Sequence, residues 1–230
     1  MEKYIILSLN NGDIISSKRT SIFLYDKNNF EIIKETKIGF HAKQIIELYN
    51  KDIVILSPSS ELFLIKANTQ IINKIFNNKN LNIFSILEIN NGKVSFISYN
   101  DNTRKNEINY FDTNSLKLEQ HIIFYENDDF NSKINSFIVK NIIYISSLNY
   151  LYLIDINSKK INKYEFTFSK IYSFNDNIFG INEKSIYNIT LNDGEINTNK
   201  VHEDNSDITC LFYSADKKYI FCTKNKVGSF

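Results

Sequence analysis

The scarcest reactive side chains in this chain of 230 residues are two arginines, three histidines and two cysteines, and their spacing bounds the chemistry available. Arg19 stands in "SSKRTS" and Arg104 in "YNDNTRKNEI". A guanidinium in such a polar connection can take a carboxylate or phosphate through parallel hydrogen bonds, or stack on an aromatic ring. His41 and His202 both fall in segments that read as connections, without the histidine–carboxylate spacing of a metal site. Cys210 and Cys222 lack the paired spacing of zinc ligands and read as two thiols on neighbouring strands of one hairpin. Glycine-rich phosphate loops and nucleophile elbows are absent. The acidic segments "YENDDFNS" and "VHEDNSD" lack the ligand order of a calcium loop and read as solvated connections. These patterns predict no catalytic residue, no cofactor and no bound metal.

The balance of 27 basic against 26 acidic residues lacks the excess that a nucleic-acid backbone or an anionic membrane selects, so nucleic acid is not an expected partner. Apolar residues at 43% and charged residues at 23% are globular values, and this length buries a core without disulfides or metal. The opening "MEKYIILSLNNG" carries an apolar run too short for a signal-peptide core or a membrane span. A cytoplasmic location is the resulting expectation. The triplet Asn188-Ile189-Thr190 lies in an apolar strand-like stretch, so it does not read as a glycosylation site.

The elements that must position these residues repeat. "LNNGDIIS" and "INNGKVSF" share an Asn-Gly turn before an apolar run. A second landmark recurs at intervals of about 35 to 46 residues: a polar position at Asp26, Lys66, Asp112, Asp155 and Thr190, with an asparagine two residues later at Asn28, Asn68, Asn114, Asn157 and Asn192. Asparagine suits such turns because it tolerates left-handed backbone. Each landmark closes one short apolar segment, two more precede that segment and one follows the turn, which gives four strands per unit. The approximate repeats are 3–40, 41–80, 81–130, 131–168, 169–206 and 207–230 within one domain. Ile, Tyr and Phe dominate the runs and turn residues interrupt them, so helices are not expected. Several runs are apolar throughout, as strands covered on both faces are. The fold expected is an all-β propeller of about six four-stranded blades, the last incomplete.

In this register the chain resembles the WD-repeat β-propellers. Tyr25-Asp26, Phe111-Asp112 and Ile154-Asp155 stand where that family has its Trp-Asp pair. Gly39-Phe40-His41, with Ile45 following, is similar to its Gly-His signature, and "ITCLFYSADKKYIFCT" to its first two strands. The resemblance implies a noncatalytic scaffold for protein–protein contacts. It also places Arg19 and Arg104 on the face shared by second-to-third-strand loops and interblade connections, bordered by Phe40, His41 and Tyr99. Arginine and aromatic side chains are favoured at binding hot spots, so these five are the candidate partner-binding residues. Arg104 falls in what reads as the longest loop insertion. An enzymatic propeller of hydrolase type would need carboxylates on its first strands, where Glu47 and Glu88 stand alone. A fragment of a larger multi-blade scaffold is a further reading. Residues 226–230, "KVGSF", are expected to form the third strand of the last blade, and only Met1, Glu2 and Lys3 precede the first. The free edge invites strand addition by a partner or by further chain.

Overall fold

The computed structural model describes residues 5–67, 71–90, 92–124, 134–147, 150–165, 168–192, 195–213 and 217–230. Met1, Glu2, Lys3 and Asn68, the acidic segment at 125–132 and residues 214–216 lie outside them. Every regular element among the described residues is a β-strand. The strands form five antiparallel sheets of four and one of three, each joined in simple sequence order. Contacts divide the chain into two compact units, Met1–Asp129 and Phe130–Phe230.

The first unit holds three blades. Blade 1 is β1 (Ile5–Ser8), β2 (Ile14–Lys18), β3 (Ser21–Tyr25) and β4 (Ile32–Lys37). Blade 2 is β5 (Gln44–Glu47), β6 (Ile53–Leu56), β7 (Glu61–Ile65) and β8 (Ile72–Asn77). Blade 3 is β9 (Leu81–Asn90), β10 (Lys93–Asn100), β11 (Lys105–Asp112) and β12 (Lys117–Phe124). The interior strands of blade 3 are covered on both faces, which explains their unbroken apolar runs: in β11 the six central residues are all buried. Ile15, Ile22, Ile45, Ile55 and Ile65 form the apolar layer between blades 1 and 2. A second layer, including Leu48, Val54, Leu62, Phe96 and Phe111, lies between blades 2 and 3. Full burial of one such side chain contributes about 1.5–3 kcal/mol, and these layers hold the blades face to face.

The second unit repeats the plan. Blade 4 is β13 (Asn135–Val139), β14 (Ile142–Ser146), β15 (Tyr150–Asp155) and β16 (Ile161–Glu165). Blade 5 is β17 (Lys170–Phe174), β18 (Asn177–Asn182), β19 (Ser185–Asn192) and β20 (Glu195–Glu203). Blade 6 is β21 (Ile208–Tyr213), β22 (Tyr219–Thr223) and β23 (Val227–Ser229). Phe179, Ile181 and Ile186 of blade 5 pack on Ile208, Leu211 and Phe221 of blade 6.

The recurring landmark is a carboxylate-closed turn. Asp26 Oδ1 accepts the Asn28 backbone N–H at 2.7 Å, Asp112 Oδ1 accepts Asn114 N–H at 2.7 Å, and Asp155 Oδ1 accepts Asn157 N–H at 2.9 Å. The left-handed residue is not the asparagine. It is Phe30, Leu116 or Lys159, each at φ between 56° and 59°, whose N–H bonds the aspartate carbonyl four residues back. The asparagine contributes its N–H to the carboxylate, and the αL residue closes the wider loop behind it. The Asn-Gly turns need a similar correction. Gly12 and Gly92 take φ of 93° and 87°, whereas Asn11 stays outside the left-handed region and its Oδ1 accepts the Asp13 N–H. Lys51 fills the glycine slot of blade 2 at φ 70°.

Candidate functional site

Arg19 and Arg104 sit in the turns between the second and third strands of blades 1 and 3, each at the left-handed position, φ 52° and 54°, with the side chain exposed. The interblade connections meet these turns. Thr20 O accepts the N–H groups of Ile38 and Gly39 at 2.8 and 3.1 Å, and Asp101 N–H donates to Asn80 O at 2.8 Å. Arg19, Phe40 and His41 therefore share one end of blade 1, while Arg104 and Tyr99 occupy blade 3. Phe40 is half-buried, its ring 4.5 Å from Phe63, so it belongs mainly to the apolar layer between blades 1 and 2. His41 is exposed in the connection, and Tyr99 is half-buried near the end of β10. Blade 3 owes its length to its strands, of 10, 8, 8 and 8 residues, rather than to an insertion around Arg104. The turn carrying Arg104 spans only residues 101–104, because the added residues pair across the sheet.

Glu47 and Glu88 occupy matching places at the ends of the first strands of blades 2 and 3. Glu47 Oε2 accepts the Asn10 backbone N–H at 2.6 Å, and Glu88 Oε1 accepts that of Tyr49 at 2.6 Å. Each carboxylate thus caps the first turn of the preceding blade. The turns themselves are homologous: "LNNGD" and "LYNKD" both place an asparagine side chain against an aspartate two residues on, Asn11 on Asp13 and Asn50 on Asp52. This repeated Leu-x-Asn-x-Asp was a visible sequence signal of the junction.

Below those turns, between blades 1 and 2, lies a cleft of about 280 Å³. Its floor is apolar, made by Leu9, Ile15, Ile22, Leu24, Ile53 and Ile65. Three lysines, Lys34, Lys51 and Lys66, and two carboxylates, Asp13 and Glu47, stand among its polar lining residues. Both carboxylates already hold backbone donors, since Asp13 Oδ1 accepts Lys27 N–H at 3.2 Å and Glu47 accepts Asn10. Lys66 Nζ lies 2.7 Å from Asp52 Oδ2, and Lys51 Nζ lies 4.0 Å from Glu47 Oε1.

The remaining titratable groups serve local structure. His202 lies within β20 rather than in a connection, because Ile186 pairs with it across the sheet. Its ring stacks on Phe230 at 5.2 Å and lies 4.3 Å from Phe221. Asp204, from the acidic segment, accepts Lys226 Nζ at 2.7 Å, and that bond holds its carboxyl below the ordinary value. Cys210 and Cys222 face each other across β21 and β22 as free, half-exposed thiols rather than buried ones. No three His, Cys, Asp or Glu side chains group as metal ligands among the described residues.

No protein-family model matches the chain, and no curated protein sequence matches it significantly. Solved structures do. The extracellular domain of BT4673 from B. thetaiotaomicron, described as a one-component system, superposes with a TM-score of 0.71 at 11% identity, over 98% of this chain and 32% of that one. The Dos1 propeller superposes with a TM-score of 0.67 at 15% identity, over 98% of this chain and 66% of that one. The chain is a six-bladed β-propeller. It spans about a third of the BT4673 domain and just under two thirds of the Dos1 propeller. At such identities the likeness carries the fold alone. No helix among the described residues is long and apolar enough to cross a membrane.

Proposed function

We propose that this propeller is a noncatalytic scaffold, built of WD-repeat-like blades, that binds a protein partner through the end carrying Arg19 and Arg104. The observation behind this reading is their shared placement: both arginines stand exposed at the left-handed residue of a second-to-third-strand turn, beside an interblade connection. Turns on a rigid sheet present side chains with little ordering cost, and arginine is favoured where a partner offers carboxylates. The carboxylates that a hydrolase reading would use, Glu47 and Glu88, are engaged on backbone N–H groups. The cytoplasm is the proposed compartment. Affinity capture from the native cell, with the wild type and with Arg19→Glu/Arg104→Glu, tests the surface. Loss of the captured partner at an unchanged melting temperature is expected. Equal capture by both proteins overturns the assignment.

A further inference from the structure

The apolar layer between blades 1 and 2 is filled over part of its extent and open over the rest. Phe40 and Phe63 pack within it, ring centres 4.5 Å apart, and neither lines the cleft. The cleft walls are aliphatic. On blade 1, Leu24 pairs with both Ile15 and Lys34, and Ile22 pairs with Thr36, which sets all five on one face of the sheet. On blade 2, the cross-strand pair Ile53 and Ile65 stands opposite. A hollow with such walls holds water poorly, because water there finds few hydrogen-bond partners, and takes up apolar molecules instead.

The charged groups around the cleft are already engaged, which decides the charge of its guest. Lys66 holds Asp52, Lys51 stands against Glu47, and Lys34 has an interaction of its own. Asp13 accepts the Lys27 backbone N–H and the Asn11 amide, and Glu47 accepts the Asn10 N–H. An anionic guest would have to take a lysine from its carboxylate, and a cationic guest a carboxylate from its N–H donors. Either exchange leaves a charge without its partner. A neutral guest disturbs none of them. Among the polar side chains of the lining, the Thr36 hydroxyl alone makes no bond among the described residues, so it is the group left to orient a guest. The volume of about 280 Å³ sets the size, being roughly twice the ~150 Å³ hollow that holds one benzene. A single leucine side chain from a protein partner would leave most of it unfilled. We propose that the cleft binds a neutral, compact aliphatic molecule of about ten carbons with one hydroxyl or carbonyl oxygen, its body on Ile22, Ile53 and Ile65 and its oxygen on the Thr36 hydroxyl. None of the five partner-binding candidates lines the cleft, so this site and the arginine surface stand or fall separately.

The probe is borneol, a neutral bicyclic alcohol of that size, titrated into the 230-residue chain and read by methyl resonances. Saturable binding at one site is expected, with shifts confined to Ile15, Ile22, Leu24, Ile53 and Ile65. Bornylamine, a cation at neutral pH, and bornane-2-carboxylate, an anion, are each expected to bind about tenfold more weakly or worse. Thr36→Val removes the hydroxyl and is expected to weaken borneol several-fold, whereas Thr36→Ser keeps it and binds as the wild type does. The assignment is overturned if borneol fails to bind at millimolar concentration, if either charged analogue binds equally, or if the shifts fall elsewhere. Equal binding by Thr36→Val overturns the placement of the oxygen. The wild-type titrations decide the site and the charge of its guest even where a Thr36 variant folds poorly.

Discussion

The Glu47 carboxylate, only 8% exposed, accepts the backbone N–H of Asn10 at 2.6 Å and so fastens the first turn of blade 1 to the first strand of blade 2. Glu88 does the same for Tyr49 one blade later. A charge-assisted bond to an otherwise unpaired N–H contributes about 1.5–3 kcal/mol. Glu47→Ala is therefore expected to lower unfolding free energy by that order, and Glu88→Ala by a similar amount. Glu47→Gln, which keeps an acceptor, should lose less. Urea unfolding measures all three, and an alanine variant as stable as the wild type would show that water replaces the carboxylate at no cost.

The aspartate turns predict an acid limb. Backbone N–H groups of Ser115 and Asn114 hold the Asp112 carboxyl below its ordinary 3.8. Ser158 does the same for Asp155. A carboxyl lowered by folding contributes stability that is complete above its unfolded value and disappears as pH falls through its folded value. The melting temperature should decline from about pH 4 downward. Asp112→Asn/Asp155→Asn preserves an Oδ1 acceptor for each turn and removes the titration. The variant should melt near the wild type at neutral pH and show a shallower acid decline. An unchanged acid limb would assign the loss to other carboxylates.

The repeat was legible because its marker is local: a carboxylate reaching an N–H two residues on imposes its own spacing at Asp26, Asp112 and Asp155. The left-handed residues Phe30, Leu116 and Lys159 were not, since their conformation follows from closing the loop and not from their side chains. His202 read as part of a connection because nothing in its neighbours announces that β20 extends to Glu203. The cleft was invisible for a different reason. Thr36 and Ile65 are ordinary strand residues, and only the sheet register, pairing them with Ile22 and Ile53, brings them to one cleft.

Cys210 and Cys222 are direct cross-strand partners, and the bond from Cys210, with burial, raises the Cys222 thiol above its ordinary value. A thiolate is the attacking species, so the raised thiol reacts slowly at neutral pH and faster as pH increases. Diamide is expected to couple the pair within one chain, with the two thiol hydrogens passing to the oxidant. Mass spectrometry of the intact chain and of its tryptic peptides reads the product. Disulfide-linked dimers in place of the intrachain bond would contradict the facing geometry.

The aromatic pair of the second junction carries a stability prediction. Phe76 and Phe111 meet edge to face at 5.5 Å, with Phe96 at 5.0 Å from Phe76. Phe76 pairs with Leu62 as Thr36 pairs with Ile22, and Phe111 pairs with Val94 as Ile65 pairs with Ile53. Phe76→Thr/Phe111→Ile therefore puts the residues of the first junction at those two places while Phe96 stays. Removing two packed rings should cost about 2–5 kcal/mol, since the layer collapses only in part. Urea unfolding measures the loss. A variant as stable as the wild type would show that the remaining side chains close over the missing rings.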